Sequence, residues 1–209
     1  MKIGVALSGG GIRGIAHAGA LKAFEENGIN IDIIGGTSSG SLVAVLYAMG
    51  YTPYYIYMLF KRYAQELITV DTTPIINTVS SFITNKKNQV YGFNTGEAIE
   101  KAYNEIAQRK GIKYISDIKM PIAIPAVDVK TSKEYVFTNN KSKSRYISDI
   151  PVGTAVRASS SFPGVFCPCI YKEYTFLDGG ILDNIPVNEV KRLGADKVIA
   201  INFKADDID

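Results

Sequence analysis

Ten of the 19 glycines fall within the first 40 residues, bunched in two places. Glycine loses more conformational freedom on folding than any other residue, so it is a costly choice inside helices and strands. The bunching therefore demands special backbone geometry at two nearby points. The first is Gly9-Gly10-Gly11-Ile12-Arg13-Gly14, and the second is Gly35-Gly36-Thr37-Ser38-Ser39-Gly40. Short apolar runs precede them, at 2–8 and 31–34. Helix-like stretches follow, at 12–27 and 39–49, closed by Gly28 and Gly50. Strand, glycine turn and helix, twice over, predict a parallel sheet with right-handed crossovers. Both turns then lie at the C-terminal ends of parallel strands, facing one crevice.

Two chemistries fit the first turn. Backbone N–H groups at a helix N-terminus can hold a phosphate or dinucleotide. They can equally stabilise an oxyanion during acyl transfer. Gly9, Gly11 and Gly14 fit the dinucleotide fingerprint G-x-G-x-x-G, and Asp32 follows 18 residues after Gly14. However, Asp32 starts the second strand, at the wrong edge of the sheet to meet a ribose. A Walker A loop fails because no Gly-Lys-Ser/Thr follows. A Rossmann-type nucleotide-binding oxidoreductase remains the alternative. The second turn carries G-x-S-x-G from Gly36 to Gly40, the nucleophile-elbow pattern, with Ser38 at its tip. Taken alone, it also fits a glycine-rich turn with an ordinary serine.

A serine hydroxyl needs a base. The chain has one histidine, His17, which also excludes zinc sites built on two or three histidines. His17 falls in the body of the first helix, about a turn and a half past Arg13, and reads as a packed side chain. Asp178 ends a predicted strand at 174–177 and is followed by Gly179-Gly180. A carboxylate there can reach the same edge as Ser38. A plain Asp-Gly turn is the competing reading.

The rest of the pattern continues the α/β theme. Helices are predicted at 54–67 and 74–83. Asn94 with Glu97 reads as a capping box for a helix to about Arg109. Strands are predicted at 121–129 and 134–138, a polar basic loop at 139–145, and helical turns at 152–158. A helix at 187–193 and a strand at 197–203 complete the chain. No repeat or linker divides it, so a single domain over 1–209 is expected. Hydrophobic residues make up 46% and charged residues 21%, which excludes disorder and collagen. A net charge of +3 is too small to argue for nucleic acid. The segment 61–145 holds 14 basic against 8 acidic residues, a bias that suits a solvated face or an anionic membrane surface. The stretch 33–60 has no formal charge, but its glycines and Thr52-Pro53 cut it too finely for a membrane span. No signal-peptide pattern is visible. Cys167 and Cys169 flank Pro168 and read as free thiols, so a cytoplasmic location is expected, with peripheral membrane contact.

Together, Gly9 to Gly14, Gly36 to Gly40 and Asp178 to Gly180 resemble the patatin-like phospholipase family. Ala158-Ser159-Ser160-Ser161-Phe162-Pro163 and Asn184-Ile185-Pro186 resemble its flanking signatures, so the likeness covers nearly the whole chain. The resemblance implies a three-layer α/β/α sandwich with a mainly parallel central sheet. It implies a Ser38–Asp178 dyad, with Ser38 as nucleophile and Asp178 as general base. Gly10 and Gly11, helped by Gly9, would form the oxyanion hole. Arg13 would orient that loop or meet a phosphate. Gly14, Gly36, Gly40, Gly179 and Gly180 would support the turns. The implied substrate is a phospholipid or other acyl ester, with neither cofactor nor metal. Many family members continue with further helices where this chain stops at Asp209, so a C-terminal truncation is one expectation.

The substrate groove is expected near 47–63, which holds six of the 13 tyrosines, then Lys61 and Arg62. Such a segment suits a membrane interface or a buried helix with wet tyrosine tips. A non-catalytic membrane-binding module is the third reading of the chain.

Overall fold

The computed structural model describes residues 1–68, 94–140 and 143–203, with 63–68 described as backbone only. In chain order the elements begin with β1 (Ile3–Leu7), a 3-10 turn (Gly11–Gly14) and α1 (Ile15–Glu26). Next come β2 (Ile33–Gly36), α2 (Ser39–Ala48), α3 (Pro53–Ile68) and α4 (Glu97–Gln108). The second half holds β3 (Ile122–Asp128), β4 (Lys133–Thr138), β5 (Tyr146–Ile147) and α5 (Val152–Ser159). It ends with β6 (Cys169–Tyr171), β7 (Tyr174–Asp178), α6 (Val187–Arg192) and β8 (Lys197–Ile201).

The strands form one mixed sheet in the order β5-β4-β3-β2-β1-β8, with β7 also on β3 and β6 on β7. β8, β1, β2 and β3 run parallel, as strands joined by helical crossovers must. β4 and β7 run antiparallel to β3, and β6 antiparallel to β7. Helices flank both faces unequally. Val5, Leu7 and Ile34 point into a large core shared with α1 to α5. The alternate residues Ala6 and Ile33 form a smaller cluster with Val190 and Ala195, around the short α6, with Ile185, Val187, Leu193 and Val198 packed against it. This alternation is the period-2 signature of a sheet buried on both faces.

One detail of topology builds the site. β4 runs along one whole flank of β3. The other flank is shared. β2 pairs with β3 as far as Ala123, and β7 takes over at Ala126. β2 and β7 therefore run toward each other, and their C-terminal tips, Gly36 and Asp178, meet beside Ile124 and Pro125. A proline inside a central strand normally removes a ladder hydrogen bond. Here it lies where neither β2 nor β7 is paired.

Several expectations shift. The first helix begins at Ile15, because Gly11 takes a left-handed φ of 60° and the chain first makes a 3-10 turn. The Asn94/Glu97 capping box does not form. Gly96 adopts φ 72° and becomes the N-cap, while Asn94 bonds the Gly96 N–H instead. The predicted helix at 74–83 lies outside the described residues. β5 and β6 were not anticipated, since two or three residues become a strand only through their partners.

Candidate active site

Ser38 occupies the turn between β2 and α2 with φ 54° and ψ −124°. That is rare territory for a residue with a Cβ, and such strain persists only where the surroundings enforce it. The enforcement is visible. A side chain at Gly36 would meet the Gly40 backbone, and one at Gly40 would meet the Leu7 and Ser8 carbonyls. Thr37 N–H donates to the Leu7 carbonyl at 3.1 Å, and its hydroxyl donates to the Asp183 carbonyl at 2.9 Å. The Ser38 N–H donates to Ser159 Oγ at 3.1 Å. Ser38 thus stands partly exposed at the positive end of α2, where developing negative charge is favoured.

Asp178 faces it from the tip of β7 and is 2% exposed. Its Oδ1 accepts the Gly180 N–H at 2.7 Å, while its buried Oδ2 has no hydrogen-bond partner of normal geometry. Burial pushes the Asp178 carboxyl above the usual carboxylate range, and the neighbouring Ser38 hydroxyl and the Gly180 N–H oppose this. A carboxylate that resists ionisation is a better proton acceptor than a solvated one. Gly179 lets β7 close on β3, because any side chain there would strike the Pro125 carbonyl.

The first glycine loop lies against this pair. A Cβ at Gly9 would sit 3.1 Å from the Ser38 Cβ. The Gly9 N–H is committed to the Asn184 carbonyl at 3.2 Å, so it is not a free donor. No acceptor among the described residues takes the N–H of Gly10 or Gly11. Arg13 braces the loop: Nε donates to the Gly10 carbonyl at 3.3 Å and Nη1 to the Phe203 carbonyl at 3.0 Å. Gly14 packs on Ser39, where a Cβ would come within 2.6 Å of the Ser39 Cβ.

His17 is fully buried beneath the loop. Its Nε2 donates to the Ser8 carbonyl at 2.8 Å, and its ring lies 4.3 Å from that of Phe203. Burial lowers its pKa, so it stays neutral. It lines no part of the groove. Asp32 lies just before β2, at the opposite edge from the glycine loop, and accepts the Ile3 N–H at 2.8 Å.

Ser38 and Asp178 open into a groove of ≈ 670 Å³, within the range of small-molecule sites. Its apolar wall includes Leu42, Phe60, Ile99, Tyr103, Phe162 and Phe166. The smaller cavity, ≈ 380 Å³, lies between β4, β5 and α6 and is charged. There Tyr146 donates to Glu189 Oε2 at 2.6 Å, Arg192 pairs with Glu189, and burial pushes Glu134 up to about 7. Asn184, Ser159 and Phe203 also contact the Ser38 site, yet sequence reasoning assigned none of them a role. Asn184 and Ser159 fell inside the quoted signatures, whereas nothing marked Phe203.

The patatin-like phospholipase family model matches residues 5–191. The chain belongs to the patatin-like phospholipase family. Among curated relatives of this patatin-like chain, Lysophospholipase NTE1 of Meyerozyma guilliermondii is 35% identical over 202 residues. The match spans 96% of this chain but 12% of that protein. Lysophospholipase NTE1 of Candida albicans is also 35% identical over 202 residues, covering 96% of this chain and 13% of its own. The chain therefore spans about an eighth of the length of these relatives. VipD of Legionella pneumophila shares the fold, with a TM-score of 0.61 and 16% identity over 95% of this chain and 49% of its own. ExoU of Pseudomonas aeruginosa, in its complex with SpcU, gives 0.52 and 21% over 100% of this chain and 42% of its own.

Proposed function

We propose that this patatin-like domain, read as a single unit over 1–209, is a lipid acyl hydrolase using a Ser38–Asp178 dyad. One observation carries the reading: a strained, partly exposed serine faces a carboxylate whose pKa is raised by burial, at the floor of an apolar groove. Asp178 takes the Ser38 hydroxyl proton as Oγ attacks the ester carbonyl carbon. The N–H groups of Gly10 and Gly11 receive the oxyanion, the term that usually dominates such catalysis. The tetrahedral intermediate collapses, and the leaving alcohol takes the proton back from Asp178. Water then attacks the acyl-Ser38 ester, losing its proton to Asp178, which passes it to Ser38 Oγ as the intermediate collapses and the fatty acid departs.

The groove suits an acyl chain, and relatives named lysophospholipases support a lysophospholipid substrate. Ile12, Phe162 and Val165 are exposed around the mouth, 59%, 56% and 47% respectively, and suit peripheral contact with a lipid surface. Tyr54, Tyr57 and Met58 on α3 add exposed apolar area beside exposed Lys61 and Arg62. No helix among the described residues is long and apolar enough to cross a membrane. Purified protein should release fatty acid from a lysophospholipid, and Ser38→Ala should not. Equal release by both proteins would overturn the proposal.

A further inference from the structure

The dyad partners come from separate strands, yet one short turn touches both. α5 ends at Ser159, and Ser160 and Ser161 follow. Ser159 Oγ accepts the Ser38 N–H at 3.1 Å. Two residues on, the Ser161 carbonyl accepts the Asp178 N–H at 3.0 Å. Ser159 and Ser161 are fully buried.

The turn is itself held. The Ser161 hydroxyl donates to the Arg157 carbonyl at 2.9 Å, which also accepts the Ser160 N–H at 3.1 Å. One turn earlier, Arg157 pairs with Glu100 of α4 at 2.8 Å, and Thr154 donates to the same carboxylate at 2.6 Å. Gly153 N–H donates to Asn104 Oδ1 at 2.8 Å. α5 is therefore fixed to α4 on one side and to both reacting residues on the other.

We infer that the 159–161 turn is a clamp that sets the separation and orientation of Ser38 and Asp178, with Ser159 as a positioning residue for the nucleophile. The inference rests on the dyad reading above. It adds that the strained backbone of Ser38 is held by a hydroxyl from a helix 121 residues away in sequence. The β2 and β7 tips have no ladder between them, so the turn supplies the cross-link that the sheet omits.

Replacing Ser159 by alanine leaves the Ser38 N–H without its acceptor and frees the elbow to relax. An ångström of misplacement can cost about 100-fold, so kcat should fall by roughly 10- to 100-fold while KM changes little. Ser159→Thr keeps the acceptor and should restore most of kcat. Ser159→Cys keeps the shape with a weaker acceptor and should fall between, and it replaces Ser159→Ala if that variant does not fold. Folding is checked by thermal unfolding, and the dyad by Ser38→Ala in parallel. Wild-type kcat in folded Ser159→Ala or Ser159→Cys, with Ser38→Ala inactive, overturns the clamp and leaves the dyad standing. Persistent turnover in Ser38→Ala overturns the dyad reading itself.

Discussion

The two tips that meet beside β3 are held in different ways. Ser38 is fixed by local backbone: a left-handed φ, flanked by Gly36 and Gly40, each packed against other main chain. Asp178 has an ordinary extended backbone and is fixed by tertiary burial and by the pairing of β7 with β3. Backbone strain positions Ser38, and desolvation raises the pKa of Asp178. The elbow is thus sensitive to any added side chain, whereas the base is sensitive to charge and pH.

The largest expected effect comes from the base. Asp178→Asn should lower kcat by about 10²- to 10⁴-fold, the usual worth of a positioned general base. The same change should raise stability near neutral pH. The folded-state pKa of Asp178 lies above its unfolded value, so its stabilising contribution is full below the ordinary carboxylate range and is lost as pH rises through the raised value. Thermal unfolding of both proteins across pH tests this. Equal midpoints at acid and neutral pH would contradict the burial account.

On the other side, Gly40→Ala drives a Cβ into the Leu7 and Ser8 carbonyls. A cost of about 1–3 kcal/mol or more in denaturant unfolding is expected, with loss of turnover. Unchanged stability would mean that the elbow is looser than its backbone implies.

A smaller effect sharpens the contrast. Asp178 must be ionised to accept a proton, so kcat/KM should fall as pH drops through its raised pKa. The acid limb should have its midpoint above the ~3.9 of a free aspartate. A midpoint at or below that value would remove the role given to burial. The smallest effect belongs to His17. His17→Gln should leave turnover within a few-fold and keep the same acid limb, because the ring lies beneath the loop and outside the groove. Loss of the limb in a folded His17→Gln would reassign the base.

This contrast also explains what could be read from the sequence. The elbow was legible because its geometry needs particular residues within five positions of Ser38. The parallel β1–β2 pair and its helices followed from local periodicity in the same way. Asp178 was legible only as a strand end beside two glycines, and the resemblance supplied its role. Its antiparallel approach to Ser38 depends on β2 and β7 sharing one flank of β3, which no local pattern encodes. The amide of Gly9 shows the same limit. Its place in the loop was plain, but its bond to Asn184 joins residues 175 positions apart in a chain of 209. Ser159 and Phe203 reach the site through equally distant contacts.

The central claim is that Ser38 is the nucleophile and Asp178 activates it. The most direct measurement is fluorophosphonate labelling, with the modified residue located by mass spectrometry. One adduct at Ser38 is expected in the wild-type protein, formed much more slowly in Asp178→Asn and absent in Ser38→Ala. An adduct that persists in Ser38→Ala, or that forms at the wild-type rate in Asp178→Asn, would contradict the account.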